Sequence, residues 1–271
     1  ALAGAVVISG IVAVTLSLVA PIFALELAPA WLVKTGLDQL VGAGSGAHSA
    51  AWYTPPQNGN ILLVAHGYAD MRSASLHALL ARHGYGVVSW DMRAHGQSEG
   101  ALCTLGYYES RDIETALDYA LAQPGVARVG AWGGSMGGVA TILASARRPE
   151  IRAVVADSAF AALEDQIDRM IPLPVFRPLI RFFAEQETGL NVNWVRPVDQ
   201  IRRISPRPVL IIQGMADKAI PLDSAQRLYN AAGEPRTLWI EPGVDHVAMY
   251  TVLPQEYERR VTAFFDKYLL S

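Results

Sequence analysis

The stretch Gly130-Ala131-Trp132-Gly133-Gly134-Ser135-Met136-Gly137-Gly138 constrains the fold more than any other part of this chain. Gly133, Ser135 and Gly137 fit Gly-x-Ser-x-Gly, in which a serine occupies a sharp turn between a strand and a helix. Such a turn forces the serine into a strained backbone, and the small residues around it let strand and helix pass at close range. The hydroxyl is thereby lifted clear of the sheet. The context agrees: Val126 to Trp132 reads as a short buried strand and Met136 to Arg148 as an alanine-rich helix. A purely structural glycine-rich turn is the bland alternative; the flanking strand and helix favour a nucleophile at Ser135.

On both sides of this elbow, strands and helices alternate. Trp52-Tyr53 predicts an early edge strand stopped by Pro55-Pro56, and Ile61 to Ala65 a buried strand that delivers the loop His66-Gly67-Tyr68. A helix over Ser73 to Arg82 follows, then a strand from Gly86 to Trp90 and a helix from Tyr108 to Ala122. Beyond the elbow come strands at Ile151 to Ala156, Pro208 to Gln213 and Arg236 to Glu241, with helices at Ser224 to Ala232 and Pro254 to Leu270. Apolar strands alternating with helices imply an α/β fold with a mainly parallel sheet covered on both faces. With 271 residues, one large domain over 51–271 is expected. Between residues 158 and 206 the rhythm breaks into Pro-interrupted apolar runs such as Pro178-Leu179-Ile180-Arg181-Phe182-Phe183. This segment reads as a small helical cap over the carboxyl end of the sheet, its apolar face either lining an acyl pocket or packing on the body.

Residues 1–30 form a hydrophobic segment and 31–50, with the Gly/Ala/Ser-rich patch Gly42 to Gly46, a connector. No charge falls between Ala1 and Leu25, and about 20 apolar residues span a bilayer, so a single-pass membrane anchor is expected. A signal peptide, whose cleavage would leave a secreted or periplasmic protein, and a helix that packs on the protein or on a second copy are the alternatives. The chain is 51% hydrophobic and carries a formal net charge of -3, which offers no basic field for nucleic acid. Cys103 is the sole cysteine, so no intrachain disulfide forms.

A serine hydroxyl needs a base, and of six histidines only His246 follows Ser135. It lies in a loop after the last strand, where it can swing over the elbow. The imidazole in turn needs a carboxylate to hold its tautomer. Asp217, after the strand Pro208 to Gln213, is the first choice and Asp157 the runner-up, while Asp245 reads as a loop-shaping residue. Two backbone N–H groups, of Met136 and Tyr68, are expected to form an oxyanion hole. His66 reads as a hydrogen-bonded loop residue. This chemistry calls for no metal or organic cofactor.

The run from Ile61 to Leu270 resembles the α/β-hydrolase superfamily through His66-Gly67, Asp91-Met92-Arg93-Ala94-His95-Gly96-Gln97-Ser98, the elbow, Gln213-Gly214-Met215-Ala216-Asp217 and Asp245-His246. It is similar to the branch holding monoacylglycerol lipases, the serine-aminopeptidase-like group and membrane-anchored relatives with a short cap. The resemblance implies an eight-stranded, mostly parallel sheet and hydrolysis through an acyl-enzyme. Related motifs often carry Gly where Ala94 stands, and Tyr68 is bulky for its place beside the oxyanion. The expected activity is cleavage of small-molecule, lipophilic carboxylic esters. Thioester or amide hydrolysis by the same residues, or a non-catalytic membrane-bound binding protein, are the alternatives.

Overall fold

The computed structural model describes residues 40–41, 48–171 and 173–271. The predicted hydrophobic segment 1–30 and most of the connector lie outside these residues. No helix among the described residues is long and apolar enough to cross a membrane.

The core is a seven-stranded sheet in the order β3-β5-β4-β6-β7-β8-β9. Its strands are β3 (Ala51–Thr54), β4 (Asn60–Ala65), β5 (Gly86–Trp90), β6 (Arg128–Gly134), β7 (Ile151–Asp157), β8 (Val209–Gly214) and β9 (Arg236–Glu241). All neighbours pair in parallel except β3, which runs antiparallel to β5 at the edge. A separate ladder, β1 (Leu40–Val41) with β2 (His48–Ser49), leads into β3 across Ala50 alone. Among the described residues the main sheet therefore holds seven strands, against the eight that the resemblance implies.

Strands β4, β5 and β8 are buried along their whole length, as expected when helices cover both faces. The alternation of side chains divides β4 between two cores. Ile61, Leu63 and Ala65 pack with Ile113 and Leu117 of α2 (Glu109–Leu121) and Val139 of α3 (Met136–Arg147). Leu62 and Val64 pack with Leu79 of α1 (Ala74–Arg82) and with Tyr257 and Phe265 of a C-terminal helix, Pro254–Leu269. Complete burial of such a leucine or phenylalanine side chain contributes roughly 1.5–3 kcal/mol.

Most predicted elements recur with shifts of a residue or two at their ends. Ser73 caps α1 rather than joining it, its hydroxyl accepting from the Leu76 N–H at 3.3 Å. The elbow strand starts and stops two residues later than its apolar pattern suggests. Ala127 N–H is bonded to the Gly59 carbonyl just ahead of the strand, while Gly133 pairs with Ala65 on one side and Ala156 on the other and Gly134 pairs with Asp157.

Between β7 and β8 lies the inserted segment. It contains α4 (Leu163–Met170), α5 (Arg177–Thr188), α6 (Pro197–Gln200) and short 3-10 turns at Pro174–Phe176, Val192–Trp194 and Ile201–Ile204. Leu163 N–H to Val195 C=O and Val198 N–H to Ala161 C=O join its two ends, and an ion pair from Arg227, in α7 (Leu222–Ala231), to Asp165 at 2.6 Å ties it to the body. The α5 helix buries none of its described side chains, and Leu179, Phe182 and Phe183 are each more than half exposed.

Candidate active site

Strand order reverses direction between β4 and β6: the chain steps outward from β4 to β5, then crosses back to β6 on the other side of β4. Loops diverge from such a switch point and leave a crevice at the carboxyl ends of the strands. Ala65 of β4 is in register with Gly133 of β6, so the turns that follow them, Gly67-Tyr68 and Ser135-Met136, are neighbours.

Ser135 sits at φ 52° and ψ -120°, between β6 and α3. Such a conformation in a non-glycine residue costs on the order of 1–3 kcal/mol and persists only where the surroundings impose it. They do so through glycine contacts. A Cβ on Gly137 would fall 2.2 Å from the Ala65 carbonyl oxygen, and one on Gly133 would fall 2.2 Å from that of Gly137. Strand and helix are thus closer than any side chain permits. The Ser135 N–H donates to the Asp157 carbonyl at 2.7 Å, which fixes the turn from the other side.

His246 follows β9 in the loop before α8 (Met249–Val252) and α9 (Pro254–Leu269). Its Nε2 lies 2.9 Å from Ser135 Oγ and its Nδ1 2.8 Å from Asp217 Oδ2. Asp217 lies just past β8 with its side chain buried. Its Oδ1 accepts the N–H groups of Ala219 and Ile220, and its Oδ2 accepts from Gln213 Nε2. A carboxylate held by fixed donors presents Oδ2 to the imidazole, which then carries its proton on Nδ1 and offers Nε2 to the serine. The three residues picked from the sequence as nucleophile, base and acid are thereby joined in one hydrogen-bonded row.

The runner-up acid, Asp157, lies beneath this row and is not bonded to His246. It is buried, accepting from Ser158 Oγ at 2.9 Å and from the Tyr257 hydroxyl at 3.0 Å. Burial pushes its carboxyl up to about 6, opposed by those two hydrogen bonds and by attraction to His246. Asp245 accepts the N–H groups of His246 and Lys218, and the first of these holds its carboxyl below the usual range, as suits a residue shaping the loop.

Met136 opens α3, where first-turn N–H groups have no intrahelical acceptor. Gly67 brings its loop against the nucleophile, since a Cβ there would stand 3.2 Å from Ser135 Cβ. The backbone of Tyr68 therefore begins at the serine, while its ring lies edge-on to His95 at 5.6 Å. His66 donates from Nδ1 to the Gly67 carbonyl and accepts the Met92 N–H at Nε2. Burial lowers its pKa, so it is a neutral loop residue. Cys103, half-buried, donates its thiol to the sulfur of Met136 at 3.4 Å, and burial with the nearby Glu109 charge pushes its pKa far up.

The partners missed from the sequence are Ser158, Tyr257 and Trp132. Trp132 Nε1 donates to the Tyr257 hydroxyl at 2.7 Å across 125 positions. Only Ser158, next to an acid already under consideration, had a signal in the chain. On the cap, a groove of about 530 Å³ is lined by Arg177, Arg181, Phe182 and Glu185 among others and includes none of the row. We attach the chemistry to the row.

A family model described as "Prolyl oligopeptidase family" matches residues 71–271. The uncharacterized protein YqkD of Bacillus subtilis (strain 168) is 28% identical, the match covering 82% of this chain and 74% of YqkD. Among solved structures, the Pyrococcus furiosus esterase Pf2001 superposes with a TM-score of 0.69 at 24% identity, covering 85% of this chain and 91% of the other. Est1E of Butyrivibrio proteoclasticus, solved with ferulic acid bound, gives 0.68 at 21% identity, covering 84% and 98%. These likenesses carry the α/β-hydrolase fold.

Proposed function

This chain belongs to the prolyl oligopeptidase family of α/β-hydrolases, and we propose that it hydrolyses carboxylic esters through an acyl-enzyme on Ser135. The observation that carries the reading is the row Ser135 Oγ, His246 Nε2, His246 Nδ1 and Asp217 Oδ2, with spacings of 2.9 and 2.8 Å. His246 takes the hydroxyl proton as Ser135 Oγ adds to the substrate carbonyl carbon. The carbonyl oxygen, now an anion, is met by the N–H groups of Met136 and Tyr68, with the α3 dipole behind the first. Collapse breaks the bond to the alcohol oxygen, which leaves with the proton from His246. Water, deprotonated by the same nitrogen, then adds to the acyl carbon, and the acid departs as Ser135 recovers its proton. Asp217 holds the Nδ1 proton throughout and stabilises the imidazolium that forms.

Pf2001 is an esterase by name and Est1E was solved with ferulic acid bound, and both favour an ester. The family description favours an amide as the second reading, since the same steps cleave peptide bonds. A lipophilic acyl group is the substrate class we propose, supported by the uncharged stretch Ala1 to Leu25 and by the exposed apolar side chains of the cap. The same stretch supports a single-pass membrane location.

The test is turnover of an aryl ester and of a peptide anilide by the full chain and by Ser135→Ala, with fluorophosphonate labelling of both. Ester turnover and labelling, lost in Ser135→Ala, support the reading. Turnover of the anilide alone points to the amide, and a folded wild type that neither turns over nor labels overturns it.

A further inference from the structure

Asp157, Ser158 and Tyr257 form a buried polar group that the proposed reaction does not use. Ser158 has φ 54°, a left-handed conformation that serine adopts rarely, and its N–H is held by the Ile212 carbonyl of β8 at 2.9 Å. Its hydroxyl donates to Asp157 Oδ1 and accepts the Val247 N–H at 3.1 Å. Val247 follows the base directly, and its own φ is 51°. For a β-branched residue this is an outlier, which a loop would relax unless something tied it. Its side chain also reaches the elbow: a Cβ on Gly134 would meet Val247 Cγ1 at 3.3 Å.

The nucleophile is referenced to the same dipeptide. Ser135 N–H donates to the carbonyl of Asp157, and one residue on, the hydroxyl of Ser158 holds the residue after His246. On its other side, His246 N–H is held by Asp245. Ser135 and His246 are 111 positions apart in sequence, and Asp157-Ser158 is a short structural link between them.

We propose that Ser158 is a positioning residue: its hydroxyl, aimed by the Asp157 carboxylate, keeps Val247 left-handed and so sets His246 Nε2 on Ser135 Oγ. The inference rests on the hydrolase reading above only for its kinetic readout. A misplacement of about 1 Å in such a constellation costs on the order of 100-fold in rate.

Ser158→Gly is the decisive variant, because glycine accepts φ 54° without strain while the hydroxyl is removed. We expect a thermal midpoint near that of the wild type, kcat on an aryl ester down about 10- to 100-fold, and KM within about twofold. A kcat within twofold of wild type overturns the proposal. If Ser158→Gly does not fold, Ser158→Cys, similar in shape with a weaker hydrogen-bonding group, is read the same way, with a several-fold loss of kcat expected. If the wild type turns over no ester and takes no fluorophosphonate, the hydrolase reading fails separately. Positioning is then read from the ring-nitrogen resonances of His246, assigned by their loss in His246→Gln. Ser158→Gly must shift them, and unshifted resonances overturn the proposal.

Discussion

Gly137 of the elbow helix lies against the carbonyl of Ala65 so closely that a Cβ would stand 2.2 Å from the oxygen. The obstacle is backbone on both sides, with the His66 carbonyl oxygen at 2.6 Å from the same point. Gly137→Ala must therefore push α3 away from β4, and is expected to lower stability by about 3 kcal/mol or to prevent folding. Urea denaturation measures this. An unchanged midpoint would mean that the helix moves at no cost.

The two carboxylates near His246 differ in what they touch, and their amides should separate them. Asp217→Asn replaces the acceptor of the Nδ1 proton and is expected to reduce kcat by about 10³- to 10⁴-fold. Asp157→Asn keeps an oxygen for the Ser158 hydroxyl and should lose far less activity. Parallel kcat measurements on one aryl ester decide the matter, and equal losses would return Asp157 to the role of acid.

His77 is fully buried between the Thr54 and Ser89 hydroxyls, at 2.9 and 2.7 Å. Burial holds its pKa down to about 4 from 6.5. The folded state therefore binds this proton less readily than the unfolded chain. Stability from this group is present above about 6.5 and is lost as pH falls towards 4, by about 3 kcal/mol in all. Denaturation midpoints between pH 7 and 4 for wild type and His77→Gln should converge over that window. Parallel curves would contradict the assignment.

Ala94 has φ 60°, a backbone that glycine adopts freely and alanine does not. Ala94→Gly is expected to raise stability by up to about 1 kcal/mol, the relief of strain exceeding the added freedom of the unfolded chain. Differential scanning calorimetry tests the sign, and a lower midpoint would contradict it.

The glycine that the resemblance implies where Ala94 stands thus has a backbone cause, visible only with the torsion angles. Other parts were open to reading directly. Apolar runs bounded by glycine and proline marked the central strands, because parallel strands covered on both faces need apolar residues at nearly every position. Chain order singled out His246, since no other histidine follows Ser135. What stayed hidden were contacts between distant positions. Asp157 reads as a possible acid because it ends a strand, and only the contacts show that its oxygens are bonded to the Ser158 and Tyr257 hydroxyls and not to the imidazole. Trp132 read as an apolar strand residue, and nothing nearby in sequence announces that its indole N–H bonds to Tyr257. The apolar pattern ends β6 two residues early because glycine is weak in strands by propensity, whereas here it is required by close approach.

The thiol of Cys103, the one cysteine in the chain, rests on Met136 and stays protonated through the neutral range. Alkylating reagents act on thiolates, so they find little to attack there. A second cysteine placed at an exposed cap position such as Val175 would take a fluorophore or spin label almost alone. The wild-type sequence is in this sense already a background for spectroscopy of the cap, and the native cysteine need not be removed from beside the nucleophile.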